Sequence, residues 1–115
     1  MINDLNRVVL MGHVGTDAAQ QSGNAPVTFS LATSDRWTDD KQQRQSRTEW
    51  HRVVVFGNLG KYAAKLKKGD RVYVEGQSRT RSYEKPAGDG TVTVSVTEIV
   101  ATQIERVAAA STESE

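Results

Sequence analysis

The 115-residue sequence contains no cysteine, which removes disulfides, thiolate chemistry and cysteine-held zinc and is compatible with a reducing compartment. No apolar run approaches the roughly 20 residues that a membrane-spanning helix needs. The opening residues, MINDLNRVVLMGHVG, lack a basic segment followed by an apolar stretch and a small-residue cleavage site, so no secretory signal is expected. Aromatic residues are scarce, at 6% of the chain, and the formal net charge is only +1. A near-neutral total gives little bulk attraction to nucleic acid, so any such binding must come from where the charges sit. Catalytic signatures are missing too: there is no glycine-rich phosphate loop, HExxH, nucleophile elbow or CxxC. The two histidines, His13 and His51, fall on different strands without an obvious pairing, and Asp39-Asp40 lies in a polar stretch where solvated charge is the ordinary state. No metal site, cofactor or enzyme activity is expected.

What is present is an ordinary globular composition, 37% hydrophobic and 25% charged, in a length that suits one domain with a modest core. Residues 5–14, LNRVVLMGHV, read as a first strand, and 15–26 as turn material. Residues 27–34, VTFSLATS, alternate in a second strand, with Val27, Phe29 and Leu31 on one side. A polar loop at 35–47 carries one large apolar side chain, Trp37, and a third strand follows at 48–57. Asn58 suits the N-cap of a short helix whose Leu59, Tyr62, Ala63 and Leu66 share a face and which Gly69 ends. A fourth strand spans 71–83 with a bulge or bend at Gly76, residues 84–90 form a hairpin tip, and a fifth strand spans about 91–106. Five strands with a helix between the third and fourth give a mainly all-β chain in the element order of an OB-fold, a small Greek-key barrel. A strand-rich α+β fold of another topology would produce a similar string. The domain is expected over 1–107, with a flexible tail at 108–115.

Strand parity separates the candidate surfaces. In the third strand Trp50, Arg52, Val54 and Phe56 share one face, and His51, Val53 and Val55 the other, more aliphatic one. In the fourth, Tyr73, Gln77, Arg79, Arg81 and Tyr83 oppose Val72, Val74, Gly76, Ser78 and Thr80. Exposed rings beside arginine are costly unless something covers them. The cover is either the 35–47 loop, another subunit, or a ligand whose flat groups stack on the rings while arginine meets phosphate. Stacking contributes about 1–3 kcal/mol per base whatever the base, so the last reading predicts sequence-independent binding of single strands. Arg7 and Arg36-Trp37 would extend such a track.

The segments LNRVVLMGHVG, FSLATSDRW and RTEWHRVVVFGNLGKYAAKLKKGDRVYVEGQSRTRSY, with the strand after the hairpin, resemble the bacterial-type single-stranded DNA-binding protein family over roughly residues 1–107. The resemblance implies an OB-fold homotetramer that wraps single-stranded DNA and serves replication, recombination and repair in the cytoplasm, associated with the nucleoid. It implies stacking by Trp37, Trp50, Phe56 and Tyr83, the last standing where many members carry tryptophan. It makes the segment Trp50, His51, Arg52, Val53, Val54, Val55 and Phe56 the centre of the binding surface. It implies cationic contacts from Arg7, Arg36, Arg52, Arg79 and Arg81, with Lys61 and Arg47 as lesser members. Members that recruit replication and repair proteins usually continue into a linker with an acidic tip ending in Pro-Phe. The residues STESE carry Glu113 and Glu115 without that anchor, so either the sequence is cut short of the tip, or it is that of a short paralogue in which recruitment through a tip is not expected. The rival readings are an OB-fold dimer that mainly contacts replication proteins, and an OB-fold enzyme or tRNA-binding domain, which no motif supports.

Overall fold

Branched apolar residues alternating with polar ones make strands with one dry face, and in the computed structural model, which describes residues 3–20 and 25–110, those strands close on one another. The elements are β1 (Val8–Val14), β2 (Ala19–Gln20), β3 (Val27–Thr38), β4 (Arg44–Val55), α1 (Gly57–Ala63), β5 (Arg71–Ala87) and β6 (Gly90–Ala108). Neighbours run β1-β5-β6-β4-β3-β2, and β1 returns to β3 through His13↔Ala32 and Val14↔Leu31, closing a barrel of the long strands. All pairings are antiparallel except β4 with β6, which runs parallel at Val53↔Ile99 and Val54↔Val100. This is the OB-fold barrel expected from the element order. The two-residue β2 lies inside the segment read as turn; residues 21–24 of that turn, and 111–115 of the tail, lie outside the described residues.

The aliphatic parity sets meet inside. Val27, Phe29 and Leu31 of β3, Val53 and Val55 of β4, Val72 and Val74 of β5, and Ile99, Ala101 and Ile104 of β6 form the core with Val14, while Ala63 and Leu66 cover one end. Each of the valine, leucine, isoleucine and phenylalanine side chains contributes about 1.5–3 kcal/mol on leaving water. The irregularity expected at Gly76 is there, but the extra residue belongs to the partner strand. Gly76 pairs Ala101 and Glu75 pairs Gln103, which leaves Thr102 unmatched, its hydroxyl donating to the Glu75 carbonyl at 3.1 Å. The bulge switches the inward parity of β6 from Ile99 and Ala101 to Ile104. Gly76 has no room for a side chain, because a Cβ there would collide with the Val100 carbonyl oxygen.

Three boundaries differ from the sequence expectation. Residues 35–47 are not a loop: β3 and β4 pair without a break as far as Thr38↔Arg44, so Trp37 stands on a strand and only 39–43 connect. Asp39 locks that tip. Its Oδ1 accepts from the Lys41 and Gln43 amides, each at 2.9 Å, and its Oδ2 from Gln45 Nε2 at 3.1 Å. Residues 84–90 are likewise mostly strand, since β5 and β6 pair to Ala87↔Gly90 around a two-residue turn. Hydroxyl pairs hold the middle of this ribbon: Thr80 with Thr97 at 3.0 Å and Ser82 with Ser95 at 3.3 Å, while Glu84 accepts from Thr93 at 2.7 Å. Finally, α1 spans Gly57–Ala63 rather than 58–69, with Phe56 and not Asn58 at the cap position and no side-chain cap bond. Beyond it the chain tightens, Lys65 and Leu66 donating to the Tyr62 and Ala63 carbonyls three residues back, which delivers Leu66 to the core. At the far corner buried Asp70 accepts from the Lys67 amide at 2.9 Å and the Ala110 amide at 2.8 Å. Burial opposes ionisation of that carboxyl, but these bonds and Arg106 hold it below the ordinary aspartate value.

Candidate nucleic-acid interface

β4 carries core and surface on alternate residues. Val53 and Val55 point into the barrel, while Trp50 and Phe56 are 63% and 53% exposed. Opposite Trp50 and Arg52 stand Ala32 and Ser30 of β3, side chains too small to cover them. A Cβ on Gly15 would meet Cζ3 of Trp50, so the indole rests against the backbone that follows β1 while its remaining surface faces solvent. Val54, on the outer side by parity, is nonetheless buried, and with Val53 and Val55 it contributes almost nothing to the accessible surface. His51 is half-buried, its Nε2 2.9 Å from the Thr33 hydroxyl in a shared hydrogen bond. The segment expected to centre the binding surface therefore presents Trp50, Arg52 and Phe56.

Arg79, Arg81 and Tyr83 of β5 lie opposite Glu98, Val96 and Val94 of β6. The Arg81 guanidinium sits over the Tyr83 ring at 5.8 Å from its centroid, and Tyr83 is 43% exposed. Glu98 joins this group to the one on β4. Its Oε1 accepts from Arg81 Nε at 2.9 Å and its Oε2 from Arg52 Nε at 2.8 Å. Burial works against the charged carboxylate, but the bonds from Arg81 and Arg52 prevail and hold Glu98 below the ordinary glutamate value. The two aromatic-cationic sets read separately from the sequence thus share one outer face across β5, β6 and β4. Glu98 is the residue that reading missed; its only signal is that it shares the parity of Val92, Val94 and Val96.

The remaining candidates are spread more widely. Arg7, ahead of β1, pairs Glu75 at 3.1 Å, and the same carboxylate accepts from the Tyr73 hydroxyl at 2.9 Å, so both are committed locally. The Tyr73 bond, with Arg7, holds Glu75 below the ordinary glutamate value. Arg36 has the parity of the outer face in β3–β4, opposite Ser46. Trp37, 48% exposed, has the parity of Phe29 and Leu31 and so stands on the other face of the ribbon from Trp50. Arg47 shares that second face, 3.8 Å from Glu49, and Lys61 is exposed on α1 at the barrel end. Among the described residues no group of three or more His, Asp or Glu is placed to hold a metal ion, and no helix is long and apolar enough to cross a membrane. The face offers flat rings and fixed cations.

Flat rings and fixed cations are chemistry that suits a strand with unpaired bases. Residues 5–107 match the profile of the single-strand binding protein family. The chain belongs to that family. Single-strand binding proteins are non-catalytic DNA-binding proteins. One relative, single-stranded DNA-binding protein 1 of Chlorobaculum tepidum, is 41% identical over 114 residues, which is 95% of this chain and 68% of that protein. A Plasmodium falciparum single-strand binding protein solved in complex with single-stranded DNA superposes with a TM-score of 0.70 at 33% identity, covering 91% of this chain and 95% of that one. A small single-stranded DNA-binding protein from Streptomyces coelicolor gives 0.66 at 24% identity, covering 91% and 95%, and speaks to the fold alone.

Proposed function

We propose that this single-strand binding protein holds single-stranded DNA, without reading its sequence, across the outer face of β5, β6 and β4. The reading rests on one observation: Arg81 and Arg52, joined through Glu98, bring exposed Tyr83 and Trp50 onto that one face. Bases stack on Trp50, Phe56 and Tyr83, phosphates meet Arg52, Arg79 and Arg81, and Arg36 continues the path along hairpin β3–β4. Trp37 and Arg47 receive the strand only after it crosses the ribbon's edge. Arg7 and Lys61 flank the path. A duplex cannot use the platforms, because its base faces are already stacked.

The chain acts as a homotetramer in replication, recombination and repair, in the cytoplasm with the nucleoid, and exposed Leu5, Val9 and Met11 beside β1 are apolar surface that a second copy would cover. Calorimetric titration with oligo-dT at low salt should give tight binding, and an equal length of duplex little heat. Equal affinity for the two, or none for oligo-dT, would falsify the reading. Solution mass from light scattering tests the tetramer independently. Phe56→Ala should weaken oligo-dT binding by about 1–3 kcal/mol with the melting temperature preserved; an unfolded variant would mean that the ring supports the α1 junction instead.

A further inference from the structure

A carboxylate amid the cations of an anion-binding face calls for explanation, because it cancels one positive charge and repels phosphate. Glu98 has only 9% of its side chain exposed and contacts both Arg52 and Arg81. Both contacts run through Nε. That leaves the terminal nitrogens of each guanidinium, the pair best suited to grip a phosphate, outside the ion pair. We propose that Glu98 is a positioning residue for DNA binding: it fixes Arg52 and Arg81 by their Nε atoms, with terminal nitrogens presented to phosphates, and keeps Arg81 against the Tyr83 ring. The inference rests on the proposed reading of this face as the DNA site. An arginine free in solvent loses rotamer freedom when it clamps a phosphate, whereas one fixed during folding has lost it already. The contact spans three strands, so it also sets the spacing between the Trp50 and Tyr83 platforms.

Charge and position predict opposite signs, which makes the proposal testable. Glu98→Gln leaves the face one charge more positive, so attraction alone predicts tighter oligo-dT binding; positioning predicts binding weaker by about 3- to 10-fold. Glu98→Asp keeps the charge but shortens the reach, and should also weaken binding. In an Arg52→Met, Arg81→Met background, Glu98→Gln should no longer weaken binding, since nothing is left to position. Melting temperatures accompany each titration, and Glu98→Asp carries the test if Glu98→Gln does not fold. Unchanged or tighter binding by a folded Glu98→Gln overturns the proposal, as does an equal loss in the double-methionine background, which would mark a role in the barrel alone. Absence of oligo-dT binding by the unmodified protein overturns the reading of the face and this inference with it. Normal wild-type binding with an indifferent Glu98→Gln removes this inference and leaves that reading standing.

Discussion

Hairpin β3–β4 carries a tryptophan on each of its faces, whereas hairpin β5–β6 collects Arg79, Arg81 and Tyr83 on one face and lines the other with hydroxyls. The first has an unbroken register from the barrel to its tip, so Trp37 keeps the parity of the core residues Phe29 and Leu31 while Trp50 keeps the opposite one. The second bends at the Thr102 bulge and then holds its shape by side-chain bonds across the ribbon. One hairpin is therefore suited to stacking on both sides. The other is a one-sided surface whose cations are set by a buried carboxylate. A near-neutral chain can still bind a polyanion if these two devices are aligned, and Glu98 lies where they meet.

The largest effect should come from the first hairpin. Trp37→Ala and Trp50→Ala should each weaken oligo-dT binding by about 1–3 kcal/mol, and the double variant by the sum, because rings on opposite faces have no shared partners. Calorimetry on the four proteins checks this, and a double variant no worse than one single would collapse the two-faced description. Acid should act on the second hairpin. Glu98 is held below the ordinary glutamate value, so its contribution is complete above about pH 4.5 and is lost as pH falls through the lower native value. The Arg52 and Arg81 Nε–H resonances should shift together through that acid range, and Glu98→Gln should abolish the shift. The tips sharpen the contrast further. Gly88 has φ +58°, so Gly88→Ala should cost about 1 kcal/mol in urea unfolding, while Gln42 occupies φ +64° without being glycine, so Gln42→Gly should be neutral or stabilising by up to about 1 kcal/mol. Smallest of all, Tyr83→Trp should tighten oligo-dT binding by less than about 1 kcal/mol through a larger stacking surface; weaker binding would mean that the ring's size is set by Arg81 above it.

The barrel was legible because its strands have a dry face. Val27-Phe29-Leu31, Val53-Val55 and Val72-Val74 repeat with period two only because water is excluded on one side, and the outer partners Trp50, Arg52, Arg79 and Arg81 follow by elimination. The hairpins are less legible for the same reason. Beyond the barrel neither side is dry, so pairs such as Ser34 with Thr48, hydroxyls 2.9 Å apart, look like loop although they are strand. Trp37 stands among polar residues without a dry side, so the pattern gives it no face. Asn58 looked like a cap, but the cap position falls on Phe56 and the following Gly57 has φ +66°, a turn whose geometry leaves no sign in side-chain pattern. Glu98, between threonine and isoleucine, reads as an ordinary solvated glutamate. Only register across three strands shows that it faces two arginines.

Both tryptophans of the chain belong to hairpin β3–β4, and that has a spectroscopic consequence. Intrinsic indole emission is a local reporter here, sensitive to that ribbon and nearly silent about the half of the surface built on Arg81 and Tyr83. A strand captured first by hairpin β5–β6 would release heat before it dimmed the emission. Where the optical and calorimetric isotherms separate, the offset between them would give the order in which the two hairpins take hold.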